Sequence, residues 1–507
     1  MDSRKINLIK IASFCLPVFL GFLTLILSAW ALSTISGQDI ITMTELTPLS
    51  YISMALFLIV CFLGMYSSKL YFAFLVFILL AFPAPVNDFF PGTFLGSRFE
   101  FGASIFPFIT HIDIYLLLGI FKGMMLRNRI SVIASVLFLC VIVAMFISIA
   151  INFFDYSSPQ ELALLVQGLF QFRYLVLLFV MISFYDVNKY KNYILVGIIA
   201  SVLFLFTESV AFTIKSKADA LMSGSLANNT YASIIASVLL FFYLIKRKYK
   251  HSKLYNTLLK IGITFCVIIV IATKARMAIL ALVVSYFIIS FIENRQKQTL
   301  KSKLYWIGTI ILFVISVKLI ADRLPKRYNP HTITDKISIG EPDWDLTRFI
   351  RIERSWETNS LITRLELYST SIKMIRENPV AGVGVGRWNY LKQKYGFREF
   401  LLIDSHNGYF SVLSQYGFLG IPLIIFIYFF PIYMIFRNSG SEKADYSYLV
   451  YFSVVNLYIS FADLSNSGIF KHQIFSFLAF NAICLMKLNA PSGSDATTRE
   501  ENLISKA

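Results

Sequence analysis

Apolar stretches of about 20 residues recur along the chain, and each is long enough to cross roughly 30 Å of hydrocarbon as a helix. Short polar segments separate them. The pattern predicts an all-α polytopic membrane protein with about 12–14 transmembrane helices. Spans are expected near 8–32, 49–66, 69–86, 105–121, 130–151, 163–184, 193–213, 228–245, 256–273, 277–292, 304–321, 408–436, 447–464 and 470–487.

One long polar segment interrupts the apolar pattern. We therefore predict a transmembrane bundle over 1–321, a long periplasmic loop with short helices over 322–407, transmembrane helices over 408–487 and a disordered cytoplasmic tail over 488–507. A loop of this length inside a compact protein is usually functional.

The net charge of +17 is concentrated in short loops between the apolar spans. The strongest basic clusters are "KGMMLRNR" (122–129), "KRKYKHSK" (246–253) and "ENRQKQTLKSK" (293–303). An excess of Lys and Arg in short loops marks the cytoplasmic side of a membrane. The charge therefore indicates a lipid bilayer as partner and argues against nucleic acid, and it leaves 322–407 on the outer side.

The stretch "DSHNGYFSVLSQYGFLG" places a histidine where the long loop becomes an apolar helix. His406 is flanked by Asp404, Ser405 and Asn407. The N-terminal end of a helix carries partial positive charge and favours neutral imidazole, the form that accepts a proton as a general base. The alternative is a histidine with a purely structural role.

Three cations lie within or at the ends of predicted spans, where charge is costly. Arg276 and Lys274, in "TKARMAILAL", fall between two spans at the outer face. They form either an interfacial anion site or two side chains that extend to the membrane surface. Arg173, in "GLFQFRYLVLLF", either pairs inside the bundle or lines a polar cavity.

Within the long loop, "RLELYSTSIKMIRENPVAGVGVGRWNY" (364–390) predicts a helix from Arg364 to Glu377 that ends before Asn378-Pro379. The following "GVGVG" lacks the spacing of a nucleotide-binding loop, and we interpret it as a tight turn with amides free to meet a phosphate.

The tripeptide "DWD" contributes Asp343 and Asp345, two acidic residues of the long loop. We interpret it as an exposed acidic turn rather than a metal site, because so short a match arises easily by chance. We expect neither a metal nor a cofactor.

These segments together resemble the O-antigen ligase and O-antigen polymerase family of bacterial inner-membrane glycosyltransferases. The likeness rests on "ARMAILAL" after a span, then "RLELYSTSIKMIRENPVAGVGVGRW", then "SHNGYFSVLSQYGFLG", and it covers roughly 270–436.

The resemblance implies transfer of a glycan from undecaprenyl diphosphate to an acceptor sugar hydroxyl at the periplasmic face of the inner membrane. The acceptor glycan would be lipid A–core or another lipid-linked repeat. Arg276 and Arg364 would hold the diphosphate, with Lys274 as a further contact, and His406 would activate or orient the hydroxyl. Arg173, Asp404 and Asn407 are candidates for side chains that support these residues without touching the substrate.

The motifs leave the acceptor open. A ligase, a polymerase and a protein O-oligosaccharyltransferase of the same family need the same donor site. A lipid-linked oligosaccharide transporter or flippase is the alternative from another class. It would be expected to show repeated halves and charges spread over several membrane helices, whereas these charges are concentrated in one outer loop and the helix ends beside it.

Overall fold

The computed structural model of the chain describes residues 48–80, 111–126, 136–156, 161, 165, 169–216, 228–248, 252–273, 275–294, 337–353, 359–397, 405–438, 452–464 and 472–488. These parts are almost wholly helical, which confirms the predicted all-α class.

The longer α-helices are Pro48–Tyr66, Ser68–Leu80, His111–Met125, Val136–Asn152, Phe170–Ser183, Lys191–Ser216, Asn228–Lys248, Lys253–Ala272, Arg276–Asn294, Asn359–Glu377, Gly408–Tyr416, Phe430–Asn438, Ser453–Ala462 and His472–Leu488. The shorter elements are the α-turns Leu346–Phe349, Trp388–Leu391 and Ile421–Ile424, the 3₁₀ turns Phe153–Asp155, Val187–Tyr190 and Gly417–Gly420, the π-helix Ile425–Phe429, and the strands Ile337–Ile339 and Ile350–Ile352.

Among the described residues, four helical stretches are long and apolar enough to cross a membrane. They are Val136–Asp155, Val187–Thr207, Lys253–Ala272 and Gly408–Arg437. Shorter apolar helices accompany them. A helix satisfies its own backbone hydrogen bonds, so it is the natural element for such sequences in lipid.

Helix Ser453–Ala462 lies at the centre of the bundle, because nearly all of its residues are buried. It packs against Asn228–Lys248, Arg276–Asn294 and Phe430–Asn438. A helix that is apolar and buried on all sides belongs in the middle of a bundle. Its C-terminal end carries the contacts on which the candidate site depends.

The stretch Gly408–Arg437 is a candidate span by length and composition, but its contacts divide it in two. Asp463 contacts Gly408 through its backbone oxygen (2.8 Å) and Tyr428 through its carboxylate (2.5 Å). In one straight helix, Gly408 and Tyr428 would be about 30 Å apart at a rise of 1.5 Å per residue. The single helix predicted over 408–436 is therefore two packed helices, and the rings of Tyr409 and Tyr428 lie 5.2 Å apart.

Gly417 forms the bend between these two helices. Its φ of 61° and ψ of −151° are suited to glycine. A Cβ at this position would lie 2.4 Å from the backbone oxygen of Val380, and one at Gly382 would lie 2.4 Å from the carbonyl carbon of Gln415. The two glycines allow the "GVGVG" segment to pack backbone to backbone against the bend.

The segment predicted as a long loop contains helix Asn359–Glu377, which ends before Asn378-Pro379 as predicted. We call it the arginine helix because it carries Arg364. The segment also contains an antiparallel hairpin that the sequence pattern did not predict, with Ile337 opposite Ile352 and Ile339 opposite Ile350. Its strands have only three residues each, too few for a clear alternation of polar and apolar positions.

Pro431 is buried in the helix that follows the bend, and it lacks an amide hydrogen. In a regular α-helix that amide would donate to the carbonyl of Ile427. Asn456 on the central helix donates to this carbonyl instead, with 2.6 Å from Nδ2 to the oxygen, and the helix has a π-turn over Ile425–Phe429. The side chain of Asn456 therefore compensates for the proline.

Replacing Asn456 with leucine should destabilise the protein, because it leaves the buried carbonyl of Ile427 without its side-chain donor. We expect a loss of about 1–2 kcal/mol in reversible denaturation in mixed micelles. Pro431→Ala supplies the missing amide, so the double variant should recover part of the loss. Equal stability of wild type and Asn456→Leu would contradict this account.

Candidate functional site

His406 lies in a tight turn, Ser405–Asn407, which we call the histidine turn. It has a φ of 49°, the left-handed region that is uncommon for residues other than glycine. The Ser405 hydroxyl donates to the backbone oxygen of Asn407 at 2.7 Å and lies 2.6 Å from the Ser411 hydroxyl. The turn therefore holds a half-buried imidazole on strained backbone, a feature that clusters at functional sites.

Asn407 begins the helix that follows, Gly408–Tyr416, which we call the histidine helix. Its side-chain oxygen accepts from the amide of Phe410 at 3.0 Å, the standard arrangement of an N-cap. Its Nδ2 donates to the carbonyl of Leu464 at 2.9 Å. Asn407 thus fixes the position of His406, its neighbour in sequence.

The C-terminal end of the central helix lies directly against the histidine turn. The last carbonyls of a helix have no partners within it. Here the Ser460 carbonyl accepts from the Tyr409 hydroxyl and the Asp463 carbonyl from the Gly408 amide, at 3.0 and 2.8 Å. The Asp463 carboxylate is buried and accepts from Tyr428. A buried acidic side chain therefore lies beside the turn that carries His406.

Tyr368 connects Arg364 to the histidine turn. It lies one helical turn after Arg364 on the arginine helix, and its hydroxyl donates to the carbonyl of Leu464 at 3.1 Å. Its ring lies 5.4 Å from that of Phe410. Burial raises the pKa of Tyr368, while the Arg364 charge and a hydrogen bond with Asn407 act in the opposite direction. The structure therefore brings Arg364 and His406 to the same end of the bundle.

Arg276 is the first residue of a helix that packs against the central helix. Two residues later, the carbonyl of Ala278 accepts from the Tyr458 hydroxyl at 2.6 Å, and Tyr458 precedes Asp463 by little more than one helical turn. The backbone at Arg276 therefore begins near the same end of the central helix. The Arg276 side chain, Lys274 and Asp404 lie outside the described residues.

Arg173 pairs inside the bundle. Its Nε lies 2.8 Å from Oδ1 of Asp113 on a neighbouring helix, and both side chains are almost fully buried. Of the two alternatives that the sequence left open, the ion pair is the one observed.

The "GVGVG" segment is a tight turn as predicted, with positive φ at its three glycines, but four of its five amides are bonded within the protein rather than free for a phosphate. The amides of Val383 and Gly384 donate to the carbonyls of Ser414 and Gln415 at 2.8 and 3.1 Å, and the amide of Gly386 donates to the Gln415 side chain at 2.6 Å. The turn binds the histidine helix instead.

Arg387, the next residue after this turn, attaches it to a second part of the bundle. Its guanidinium lies 2.9 Å from the buried carboxylate of Glu161 and 5.2 Å from the ring centre of Tyr156. The Tyr156 hydroxyl in turn donates to the carbonyl of Val385 at 2.7 Å. These contacts hold the glycine-rich turn in place behind the histidine helix.

The "DWD" tripeptide serves to anchor the loop. Asp345 accepts from Ser369 at 2.7 Å and from Lys373 at 2.6 Å, both on the arginine helix, and it caps the α-turn Leu346–Phe349 through Thr347. The Lys373 ammonium lies against this carboxylate, where a metal cation would have to bind. No group of three or more metal-ligating side chains occurs among the described residues.

Sequence reasoning missed Asp463, Tyr368 and Arg387. Asp463 follows an apolar span, Tyr368 lies on a helix whose clearest signal is its arginine, and Arg387 directly follows a glycine-rich motif. Only Asp463 had a usable signal, since an acidic residue at the end of a membrane helix is costly unless paired.

Replacing Asp345 with asparagine should loosen the hairpin at neutral pH. Burial acts to raise the pKa of Asp345, but hydrogen bonds from Lys373, Thr347 and Ser369 outweigh it and hold the pKa well below its usual range. The stabilisation is therefore fully present above about pH 4, the ordinary carboxyl pKa, and is lost as the pH falls towards the lowered value.

Amide hydrogen exchange over 337–353, corrected for its intrinsic pH dependence, measures this effect. We expect about tenfold faster exchange for Asp345→Asn at pH 7, a difference that shrinks in acid. Glu341→Gln is the control, since Glu341 is an exposed acidic residue on the same segment. Equal exchange of wild type and Asp345→Asn at pH 7 would refute the anchoring role.

Comparison with known proteins gives one informative match. Residues 261–426, about a third of the chain, match the family model described as O-Antigen ligase. No curated protein matches the chain. The matched region begins in helix Lys253–Ala272, includes Arg276, Arg364 and His406, and ends just beyond the bend at Gly417. The chain is a helical membrane protein in which residues 261–426 are similar to the O-antigen ligase family.

Proposed function

We propose that the protein transfers a glycan from undecaprenyl diphosphate to an acceptor hydroxyl at the periplasmic face of the bacterial inner membrane. The observation that carries the proposal is Tyr368, which links the helix of Arg364 to the turn of His406 through Leu464 and Asn407. An arginine and a histidine at one end of a membrane bundle fit a reaction in which a lipid diphosphate leaves and a hydroxyl attacks.

In this reaction the acceptor oxygen forms a bond to the anomeric carbon, and the bond from that carbon to the diphosphate oxygen breaks. The leaving diphosphate takes the electron pair, and the acceptor hydroxyl loses its proton. His406 accepts that proton or orients the hydroxyl that loses it. Arg364 and Arg276 stabilise the developing negative charge through charge-assisted hydrogen bonds, with Lys274 as a further contact.

Positioning of these groups comes from the end of the central helix. Asp463 and Leu464 receive hydrogen bonds from the histidine turn, the histidine helix and the arginine helix. Precise placement of reacting groups contributes a large part of catalysis, and small displacements are costly. We assign Asn407 and Tyr368 as positioning residues.

The acceptor is lipid A–core for a ligase and another lipid-linked repeat for a polymerase. A protein acceptor and a lipid-linked oligosaccharide transporter are the alternatives. The strained histidine turn favours an enzyme over a transporter, since strained backbone at a polar side chain is typical of active sites.

Deletion of the gene, followed by complementation with variants, tests the proposal on gels of surface and lipid-linked glycans. If the deletion strain shows lipid A–core without polymer and keeps the polymer on undecaprenyl diphosphate, the protein is a ligase. If it shows lipid A–core with a single repeat, the protein is a polymerase. We expect His406→Ala to lower transfer by about 10²–10⁴ and Arg364→Ala by about 10²–10³.

His251→Ala, in a predicted cytoplasmic cluster, and Arg351→Ala, exposed on the hairpin, are matched controls for these two variants. A normal ladder from His406→Ala would refute its catalytic role. An unchanged profile in the deletion strain itself would reject both the ligase and the polymerase.

Tyr368→Phe should lower the rate of transfer by about tenfold, because it removes the hydrogen bond to Leu464 and keeps the ring on Phe410. We expect kcat to fall while the apparent melting temperature in detergent stays within error of wild type. Tyr390→Phe, exposed on the same segment, is the control. A fall in melting temperature without a change in kcat would show that Tyr368 is purely structural.

A further inference from the structure

Trp344 presents its ring to solvent between the two aspartates of the "DWD" tripeptide. It is 66% exposed, although the indole is among the largest apolar groups in proteins. No described residue accepts a hydrogen bond from its indole N–H. Trp344 lies on the segment that joins the two strands of the hairpin, away from the apolar cluster of Leu367, Met374 and Trp388 that forms the interior of this region.

The backbone on both sides of Trp344 is fixed. The amide of Asp345 donates to the Asp343 carboxylate at 3.0 Å, and Asp345 is held to the arginine helix by Ser369 and Lys373. The guanidinium carbon of Arg376 lies 6.0 Å from the centre of the Trp344 ring. An aromatic side chain ordered before binding loses little conformational entropy when a ligand stacks on it.

Charges of both signs surround the ring. Arg348 is 76% exposed and lies 3.8 Å from the Asp343 carboxylate, and Arg376 is exposed on the arginine helix. We call Asp343, Trp344, Arg348 and Arg376 the Trp344 surface. A sugar ring has an apolar C–H face and hydroxyls at its edge, so it matches an indole with donors and an acceptor around it. A hydrocarbon would make no hydrogen bonds with these charged groups, and an anionic headgroup would face the Asp343 carboxylate.

The arginine helix sets the distance of this surface from the candidate active site. Arg376 lies twelve residues after Arg364 on the same helix, which corresponds to about 18 Å along the axis. The neighbouring Asp345 is bonded to Ser369, about 7.5 Å after Arg364 along the same axis, so Trp344 is displaced from Arg364 towards the C-terminal end of the helix, as a sugar beyond the reacting one would be.

We propose that the Trp344 surface binds a non-reacting sugar ring of the glycan substrate, stacked on the indole and hydrogen-bonded by Asp343, Arg348 and Arg376. The inference rests on the proposed function, since it requires a glycan that extends from the diphosphate site. It assigns to the outer segment a role in selecting glycans by the sugars beyond the reacting residue.

A binding experiment without turnover tests this inference on the full-length protein in nanodiscs. The probe is the host's own surface polysaccharide, released by mild acid and titrated against wild type, Trp344→Ala and Trp344→Tyr. We expect Trp344→Ala to weaken binding by about fivefold to tenfold and Trp344→Tyr to keep most of the affinity. Arg351→Ala, exposed nearby on strand Ile350–Ile352, should bind as wild type does.

Equal affinities of wild type and Trp344→Ala would overturn the proposal. The fluorescence of Trp344 is the difference between wild type and Trp344→Tyr. Quenching of this fluorescence by brominated lipid would also overturn the proposal, because the ring would then lie in the bilayer. If polysaccharide binding depends on Trp344 but the protein has no transferase activity, the sugar-binding role of the Trp344 surface stands and the proposed function is rejected. The failure of one proposal is therefore distinguishable from the failure of the other.

Discussion

The candidate site depends on the backbone carbonyls at the C-terminal end of one buried helix, which have no hydrogen-bond partners within that helix. Ser453–Ala462 ends inside the bundle, and the last carbonyls of any helix need partners from elsewhere. Where water is scarce, an unpaired carbonyl is costly, so neighbouring segments must supply donors. Tyr409, Gly408, Asn407 and Tyr368 supply them here. The need to satisfy this helix end therefore draws the histidine turn and the arginine helix together.

The same requirement explains why the chain folds back at Gly417. A straight helix from Gly408 onward would place Tyr428 about 30 Å from the histidine turn and from Asp463. The bend returns Tyr428 to the side of Asp463, so that this residue contacts both halves of the stretch, Gly408 through its backbone carbonyl and Tyr428 through its carboxylate. Glycines at 382 and 417 make the close backbone approach sterically possible. The turn at His406 bears the strain, with a φ of 49°, and the surrounding hydrogen bonds keep it in that conformation.

The arginine helix gives the outer segment its organisation. Near its middle, Tyr368, one helical turn after Arg364, contacts Asn407 of the histidine turn, and near its C-terminal end, Lys373 and Arg376 contact Asp345 and Trp344. A regular helix between these points keeps them at a fixed separation. The proposed diphosphate site and the proposed sugar surface therefore share one rigid element, as expected of an enzyme that handles a long substrate tethered to the membrane.

The sequence by itself determined the all-α membrane class, the end of the arginine helix before Asn378-Pro379, and the candidate residues Arg276, Arg364 and His406. Hydropathy and proline act locally, so they can be read from a short window. Only the tertiary structure decided that Arg173 pairs with Asp113, that the glycine-rich amides bind the histidine helix, and that Asp463 lies beside Gly408. These contacts join residues far apart in the chain, and the partner of a buried polar group follows from packing geometry, which no local pattern encodes.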